Sequence, residues 1–480
     1  MMIYLLIYFL ILYIVARLVG RGSNDAFFRG NRRSPWPVVA FGMIGASISG
    51  VSFIGVPGWV TTTGMTYLQM CLGFIVGYIV VAFVLLPIYY RYNLTSIYTY
   101  LSHRLGRTSY KTGASFFIVS KLLGAAAKFY VVVQILQLCI ADSYGIPYVV
   151  TATLSLLFIW LYTHRSGIKS LVWTDALQTL VLLVALVLII WQTCHLLGFS
   201  ISEAAEAVWN DPKSQIFEFD SWASRQNFWK QFLSGVFVVI VMTGLDQDMM
   251  QKNLTCKNLR SAQKDMCSYG IMFVPVNLLL LSLGILLVML YGHLGIPLPA
   301  KGDSLLTDIV LSGQMGQAVI TCFIIGMVAS TFSTADSALT ALTTSVCVDI
   351  IGRERDTRLR RWVHIAVMAV FLLCTLVFHY LGNVGVMDLI YTLVSYTYGP
   401  LLGLFAFCLF TRRSVRDKAV PFVCIMSPLI CLAIDYLGYR VSGNHFGYEM
   451  LMFNGMLTYA GLFGISTRNT VPRPNSDDLT

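Results

Sequence analysis

Thirteen long apolar stretches run along the chain, and short polar connections separate them. Each stretch is long enough, or nearly so, to cross the roughly 30 Å hydrocarbon core of a bilayer. Only helices and closed barrels satisfy their backbone hydrogen bonds in lipid. The pattern therefore predicts an all-α polytopic membrane protein with 13 transmembrane helices. They cover residues 2–18, 36–62, 66–89, 112–140, 147–163, 171–197, 228–247, 268–293, 312–345, 362–381, 388–411, 419–437 and 449–465.

Two of these stretches are interrupted. Stretch 36–62 carries three serines among five glycines, and stretch 228–247 runs into the polar sequence 243–248. Small residues can simply let helices pack closely in membranes. Glycines, proline and serines together, however, favour a broken helix, which exposes backbone carbonyls to ions and substrates at the membrane midplane of secondary transporters.

Five stretches begin at residue 36 and five more at residue 228, and each set starts with an interrupted helix. Paired broken helices are typical of inverted repeats. The predicted organisation is an N-terminal helix and cytoplasmic loop (1–35), a first inverted repeat (36–197), an extracellular loop (198–227), a second inverted repeat (228–411), two accessory helices (412–465) and a cytoplasmic tail (466–480).

The charges lie mostly in alternate connections. The chain is 57% hydrophobic and 12% charged, with a net charge of +10. If the N-terminus is outside, 26 of the 33 lysines and arginines, Lys252 among them, fall in cytoplasmic connections or the tail. This positive-inside distribution predicts a multi-pass protein of the plasma (inner) membrane with a cytoplasmic C-terminus. The excess of basic residues therefore indicates how the chain is oriented in the membrane and does not indicate a nucleic-acid partner.

The sequence offers no recognisable catalytic constellation. The seven histidines are scattered, and the eleven cysteines show no CxxC spacing and suit small core positions. We therefore expect a transporter and no enzyme, with no organic cofactor. A channel and a membrane enzyme stay as alternatives, although the polar residues cluster near mid-span on a few stretches and do not follow a continuous pore.

One polar face stands out inside stretch 312–345. Ser330, Ser333, Thr334 and Ser337 recur at helical spacing, so they share one side of a helix, and Asp336 lies beside them. Hydroxyls in membrane helices often only bond the carbonyl four residues earlier. A face of neutral oxygens next to a carboxylate can also replace the hydration shell of a small hard cation such as Na⁺.

Four short sequences resemble the sodium/solute symporter family, whose members carry sugars, proline, sialic acid, vitamins and iodide with sodium. They are Ser-Phe-Ile-Gly-Val-Pro-Gly (52–58), Trp-Thr-Asp-Ala-Leu-Gln (173–178), Ser-Thr-Ala-Asp-Ser-Ala-Leu (333–339) and Tyr-Gly-Pro-Leu-Leu-Gly (398–403). The sequence Asp246-Gln247, followed by Gln251-Lys252, is similar to the end of the family's sixth core helix. The resemblance implies a LeuT-type fold, in which a 5+5 inverted-repeat core has one helix before it and two after, and alternating access driven by Na⁺.

The resemblance also implies a main Na⁺ site between the first and eighth core helices. Its ligands would be the carbonyls of Gly45, Ile48 and Ser330 and the hydroxyls of Ser333 and Thr334.

Two intramembrane carboxylates are further candidates. The resemblance implies that Asp175 could serve a second Na⁺ site together with the hydroxyls of Ser333 and Thr334; the alternative is a pair with Lys169 or Arg165. Asp336 departs from the family pattern: it would add charge to the ion site, accept a proton, or pair with Lys121 or Lys128. Carboxylates within a membrane span are functional candidates by default.

The resemblance places solute contacts on several helices. The candidates are Ser49, Ser52, Tyr67 (the outer gate), Gln69, Cys71, Lys128, Thr392 and Ser395. For each, an ordinary hydrogen bond between helices is the alternative. Lys128 lies too deep to snorkel easily to the surface, so we expect it to meet a solute carboxylate or to pair with Asp175 or Asp336. Lys121, seven residues earlier, is the competing candidate for the solute cavity.

The sequence thus predicts a monomeric Na⁺-coupled symporter that imports a small polar solute across the lipid bilayer. A sugar or a carboxylated sugar such as sialic acid is favoured. An amino acid, a vitamin, a monocarboxylate, and coupling to protons remain alternatives.

Overall fold

The computed structural model describes residues 2–19, 23–164, 167–222, 224–382, 386–442 and 446–470, without the side chains of 2, 386–393, 441–442 and 468–470. Twenty α-helices form this part of the chain. They are α1 (Met2–Val19), α2 (Asn24–Arg29), α3 (Trp36–Ser47), α4 (Gly50–Thr63), α5 (Tyr67–Val80), α6 (Leu86–Arg91), α7 (Thr99–Arg104), α8 (Arg107–Leu136), α9 (Tyr148–Thr163), α10 (Ile168–Leu197), α11 (Ile201–Asn210), α12 (Phe228–Val239), α13 (Gln247–Asn253), α14 (Leu259–Leu294), α15 (Ser304–Leu311), α16 (Gln317–Ser345), α17 (Thr357–Leu381), α18 (Val386–Phe410), α19 (Val420–Ser442) and α20 (Glu449–Gly464).

Smaller elements join or extend these helices. Strands β1 (Arg413–Val415) and β2 (Ser466–Thr470) pair antiparallel, with Val415 opposite Ser466. The π-helical turns are Val81–Leu85, Gln137–Ala141, Ile240–Gly244 and Val346–Ile351, and the 3-10 turns are Gly30–Arg32, Asp142–Tyr144, Pro212–Ser214 and Asp417–Ala419.

Each of the 13 apolar stretches contains helix. Within the described ranges, seven helices are long and apolar enough to cross a membrane, and nine if each of two bent helix pairs counts as one span. Shorter apolar helices occupy three of the remaining stretches, at Ile3–Val19, Tyr148–Thr163 and Val394–Phe410. The helical class is therefore confirmed, whereas length and composition alone do not establish all 13 spans.

Both predicted helix breaks are present. The axes of α3 and α4 meet at 62°, and those of α12, with its π turn, and α13 meet at 71°. Ile48 leaves the helical region with φ −83° and ψ 80°, and the Ser49 side chain then accepts the backbone N–H of Ser52 to begin α4. At the second break, the Asp246 carboxylate accepts the N–H groups that begin α13. Serine and aspartate are preferred residues for beginning a helix in this way.

Several helices begin before their apolar stretches because side chains cap the exposed N–H groups. Helix α8 begins at Arg107, not at 112, where the Asp417 carboxylate accepts the N–H groups of Thr108 and Ser109 at 2.8 and 2.7 Å. Helix α14 begins at Leu259, not at 268, and Asn258 accepts from the Ser261 N–H. Hydropathy alone does not detect these polar first turns.

Helix α16 lies at the centre of the bundle, packed against α3, α8 and α10. Every residue from Gly326 to Ser345 is buried. The polar face of this helix is therefore enclosed by protein and does not meet lipid, which satisfies the requirement that polar groups at membrane depth find partners.

Candidate functional site

A cavity of about 160 Å³ lies where the α3–α4 break meets α5, α8, the end of α12, α14, α16 and α18. Its wall combines aromatic and aliphatic side chains with a few charged and hydroxyl groups, as is usual for small-molecule sites. The polar lining residues are Ser47, Ser52, Tyr67, Tyr78, Ser120, Lys121, Lys128, Thr243, Asp246, Asp248, Tyr269, Asn277, Thr334 and Tyr398.

Three of the predicted solute residues, Ser52, Tyr67 and Lys128, line this cavity. Tyr67 also lines a second cavity of about 580 Å³, which borders residues of the connection preceding α12. Its ring therefore lies between the two spaces. This is the position expected of a gate, and the gating role remains a prediction.

Four of the other predicted solute residues lie elsewhere. Ser49 is buried at the start of α4, and Gln69 donates to the Gln226 carbonyl at 2.8 Å and accepts the Glu218 N–H at 3.1 Å. Cys71 is buried within the bundle, and Ser395 lines the second cavity. The side chain of Thr392 lies outside the described residues. Ser49, Gln69, Cys71 and Ser395 do not line the 160 Å³ cavity, and all of the proposed contacts with solute in this group stay predictions.

Lys121 is held by an acidic pair that the sequence analysis did not connect with it. Its ammonium lies 3.2 Å from Asp246 Oδ2 and 2.7 Å from Asp248 Oδ2. The Tyr398 hydroxyl donates to the same Asp246 carboxylate at 2.7 Å. The positive charge of Lys121 is thus neutralised by Asp248 of α13 and by Asp246, the residue that caps this helix. The only available sequence signal was the presence of these charges inside apolar stretches.

Lys128 has a different environment on the same helix. It lines the cavity and takes part in none of the ion pairs found between described residues. The predicted alternative, a pair with Asp175 or Asp336, is not formed, because those carboxylates contact other groups. Lys128 rather than Lys121 therefore offers its charge to the cavity.

Three of the residues predicted to bind Na⁺, Ile48, Ser330 and Thr334, meet where the α3–α4 break contacts α16. The Ser330 hydroxyl donates to the Ile48 carbonyl, and the Thr334 hydroxyl donates to the Ser330 carbonyl at 3.1 Å. Ile48 and Thr334 also line the cavity. A cation bound by these oxygens would therefore lie beside the cavity.

Gly45 brings α3 close to α10 at this point. Its N–H donates to the Thr179 hydroxyl at 3.1 Å, and that hydroxyl also donates to the Asp175 carbonyl at 2.8 Å. No cluster of three acidic, histidine or cysteine side chains capable of holding a metal occurs in the described ranges. The local chemistry is that of neutral oxygens, which suits a monovalent hard cation better than a transition metal.

Asp175 pairs with a lysine from α13. Lys252 Nζ lies 2.8 Å from Asp175 Oδ2, and the Ser333 hydroxyl donates to Asp175 Oδ1 at 2.6 Å. The alternative pairing of Asp175 with Lys169 was therefore wrong, and Arg165 lies outside the described residues. Lys252 was assigned to a cytoplasmic connection; it lies in α13, and its side chain is only 2% exposed. The bend before α13 turns this residue into the bundle.

Asp336 is fully buried and contacts neither Lys121 nor Lys128, so that predicted pairing was wrong. The Tyr162 hydroxyl of α9 donates to its Oδ2 at 2.6 Å, and the Ser337 hydroxyl donates to its Oδ1 at 3.2 Å. Helix α9 packs against α16, and the described residues that line the cavity include neither Asp336 nor any residue of α9, so Asp336 belongs to the α9–α16 contact.

The relatives named here are all sodium-coupled transporters. The chain is 27% identical to the human sodium/iodide cotransporter over 51% of its own length, but covers only 37% of that protein. It is 24% identical to the zebrafish (Danio rerio) sodium-coupled monocarboxylate transporter 2, covering 83% of this chain and 66% of the relative. It is 23% identical to the sodium/sialic acid symporter NanT of Aliivibrio fischeri, covering 83% and 80%. The chain thus spans between about a third and two thirds of the two animal relatives.

Solved transporters share the fold. A substrate-bound, outward-open Na⁺-coupled sialic acid symporter aligns with a TM-score of 0.81 at 19% identity, covering 96% of this chain and 98% of the other. The nucleobase-cation-symport-1 transporter Mhp1, in a closed conformation, aligns with a TM-score of 0.51 at 15% identity, covering 91% and 93%. Both are LeuT-like transporters, so the structure has a LeuT-like fold.

The model of the sodium:solute symporter family matches residues 27–421, which include both broken helices, α10 and α16. This match extends over most of the chain and agrees with the fold and with the four sequences that first suggested the family. The chain therefore belongs to the sodium:solute symporter family.

Proposed function

We propose that this protein is a Na⁺-coupled symporter that imports a small carboxylated solute by alternating access. The observation that carries the proposal is Lys128, a lysine without an acidic partner among the described ion pairs, in a cavity bordered by the cation-site oxygens of Ile48 and Thr334. The family assignment supports sodium coupling, and the lysine supports an anionic solute.

Charge balance favours the same solute class. Lys121 and Lys128 bring two positive charges to the cavity wall, and Asp246 and Asp248 bring two negative ones. The wall alone is therefore neutral, and one Na⁺ would leave an excess positive charge. A buried charge without compensation is costly, so the cavity should close most readily around Na⁺ together with a monovalent anion.

The relatives named above transport two kinds of carboxylated solute, monocarboxylates and sialic acid. A single lysine can bind either kind, because both present a carboxylate to its ammonium. We therefore keep a sugar acid such as sialic acid and a small monocarboxylate as the two candidate solutes.

For the architecture, we propose 13 spans in which a 5+5 inverted-repeat core follows one helix and precedes two. The repeats would be residues 36–197 and 228–411, separated by an extracellular loop at 198–227, with 1–35, 412–465 and 466–480 flanking them. The two broken helices support this division because each begins one set of five stretches. The basic connections support an external N-terminus and a cytoplasmic C-terminus in the plasma membrane. We propose a monomer that works as a transporter without an organic cofactor and without catalytic activity.

The proposal is tested by uptake into proteoliposomes with an inward Na⁺ gradient. Pyruvate, propionate, sialic acid and glucose are compared, and Na⁺ is replaced by K⁺ in parallel. We expect uptake of a carboxylate that depends on Na⁺, together with accelerated exchange when the vesicles are preloaded with that solute. A channel would show no such counterflow. Uptake of glucose alone would contradict the anion assignment.

The role of Lys128 has a matched control. Lys128→Met removes the charge and keeps most of the side-chain volume, whereas Lys264→Met makes the same change at an exposed position of α14. Hydrogen bonds to a charged group contribute about 1.5–3 kcal/mol, so we expect the carboxylate KM to rise by roughly 10- to 100-fold in the first variant only. Equal KM values in the two variants would exclude Lys128 as the anion-binding group.

A further inference from the structure

The buried pair between Asp175 and Lys252 lies next to the predicted Na⁺ site, at a point where a second cation would be expected. Asp175 is 1% exposed and Lys252 2% exposed. One carboxylate oxygen accepts the Ser333 hydroxyl at 2.6 Å, and the other faces the ammonium at 2.8 Å. The latter contact has the distance of an ion pair without the angles of a directed hydrogen bond, so charge attraction holds it. Both oxygens of Asp175 therefore already have partners.

Lys252 is fixed in this position by its own helix. Its backbone carbonyl accepts the N–H and the hydroxyl of Thr255 at 3.0 and 2.7 Å. The preceding residue, Gln251, donates to the Thr344 hydroxyl at 3.0 Å and to the Phe28 carbonyl at 2.8 Å. These bonds tie α13 to α16 and α2, so the ammonium is held beside Asp175 by the fold and does not reach it from a flexible loop.

An ammonium and a Na⁺ each bring one positive charge to a carboxylate. Because Lys252 already supplies that charge, a second Na⁺ at Asp175 would place two cations against one carboxylate in a buried environment, which is strongly unfavourable. The residues present therefore do not fit a second sodium site. The lysine differs from an ion in one respect: it is covalently attached, and so it cannot be released to the other side of the membrane.

Ser333 connects this pair to the main site. Its proton is donated to Asp175, which leaves the lone pairs of its oxygen free to face a cation. The pair thus orients one of the predicted Na⁺ ligands without needing an ion of its own.

We infer that Lys252 is a built-in cation: its ammonium takes the place of a second coupling Na⁺ beside Asp175 and Ser333, and the protein carries one Na⁺ per transport cycle. The inference rests on the proposed sodium coupling and adds the stoichiometry to it. Together with a monovalent carboxylate solute, one Na⁺ makes the cycle electroneutral.

The number of bound Na⁺ can be counted without measuring transport. A ligand that binds only the folded protein stabilises it by an amount that grows with the logarithm of its concentration, and each site adds one such increment. Thermal unfolding of the purified protein is followed between low and saturating Na⁺ at constant ionic strength. The free energy of unfolding of the wild type should rise with Na⁺ concentration as expected for one binding site. Sodium activation of uptake should have a Hill coefficient near 1.

Three variants test the lysine itself. Lys252→Ala leaves Asp175 and Ser333 in place and removes the ammonium, so the stabilisation per tenfold rise in Na⁺ should become about twice that of the wild type. The double variant Asp175→Asn with Lys252→Met removes both charges together and should keep the wild-type slope. Lys257→Ala, at an exposed position, is the control. If Lys252→Ala does not fold, the wild type and the double variant still decide the question.

Two results would overturn the inference, and they differ in whether the proposed sodium coupling survives. A wild type that binds two Na⁺ and loses one in the double variant would show that Asp175 binds sodium despite Lys252, while sodium coupling itself would stand. If neither stability nor uptake depended on Na⁺ in any variant, the proposed sodium coupling would be wrong. The role of Lys252 as a built-in cation would then be wrong too.

Discussion

Replacing Gly45 by alanine should push α3 away from α10 and weaken Na⁺ binding. A Cβ atom at this position would lie 2.9 Å from the Thr179 Cβ and 3.0 Å from its Cα. Carbon atoms pack best at about 3.5–4.0 Å, so the two helices would have to separate locally by roughly 0.5–1 Å. Rotation of the Thr179 side chain cannot relieve the contact, because its backbone is involved.

The magnitude follows from two terms. Overpacking a buried site by one methyl group costs about 1–3 kcal/mol. Separation of the helices also stretches the bond from the Gly45 N–H to the Thr179 hydroxyl, now 3.1 Å, beyond hydrogen-bond range, at about 0.5–1.5 kcal/mol. Because Gly45 and Ile48 belong to the predicted ion site, part of this cost falls on the ion-bound state. Each 1.4 kcal/mol lost there raises the half-saturating Na⁺ concentration about tenfold.

Sodium titration of thermal unfolding and of uptake measures both effects. The matched control is Gly292→Ala, also in a helix, where a Cβ would meet nothing within 4 Å. Alanine is the better helix former by about 1 kcal/mol, so this control should be neutral or slightly stabilising. If Gly45→Ala gave the same stability and the same Na⁺ titration as Gly292→Ala, the close approach of α3 and α10 would not matter for the ion site.

Three further variants probe the charged and hydroxyl groups. Ser333→Ala removes a predicted Na⁺ ligand and a bond to a carboxylate worth about 1.5–3 kcal/mol, so half-activation by Na⁺ should rise at least about tenfold; an unchanged sodium titration would argue against the assignment. Lys121→Met leaves the carboxylates of Asp246 and Asp248 without a counterion and should destabilise the protein by about 3–5 kcal/mol in thermal unfolding, unlike Lys264→Met. Asp336→Asn should change the cation dependence of uptake in proteoliposomes, and sodium activation equal to that of the wild type would exclude a coupling role.

The two helix breaks could be predicted because their causes are local. Glycines, prolines and serines destabilise a helix wherever they occur together, and serine or aspartate can begin the next helix by bonding its first N–H groups. The structure confirms the interruptions at Ile48–Ser49 and at Leu245–Asp246. Hydropathy also located helical segments in all the apolar stretches, since the apolar composition that lipid requires is read directly from the sequence.

The partners of the charged residues could not be predicted in the same way. The alternative to a second Na⁺ site at Asp175 was a pair with Lys169 or Arg165, its neighbours in sequence, but Asp175 contacts Lys252. A pair with a lysine of α8 was one of three possibilities for Asp336, yet its carboxylate accepts from Tyr162, 174 residues away. Helical periodicity shows which residues share a face of one helix. It does not show which other helix covers that face.

The sequence by itself determined the membrane class, the two broken helices and the face of hydroxyls on α16, because each of these follows from local composition and periodicity. It also indicated the family, through four short sequences that resemble it. Only the tertiary structure decided which charges meet. It paired Lys121 with Asp246 and Asp248, placed Lys252 against Asp175, and left Lys128 to the cavity. The physical reason is that an ion pair in a membrane protein depends on how separate helices pack against one another. That packing is set by contacts distributed over the whole bundle, and no single segment of the sequence contains them.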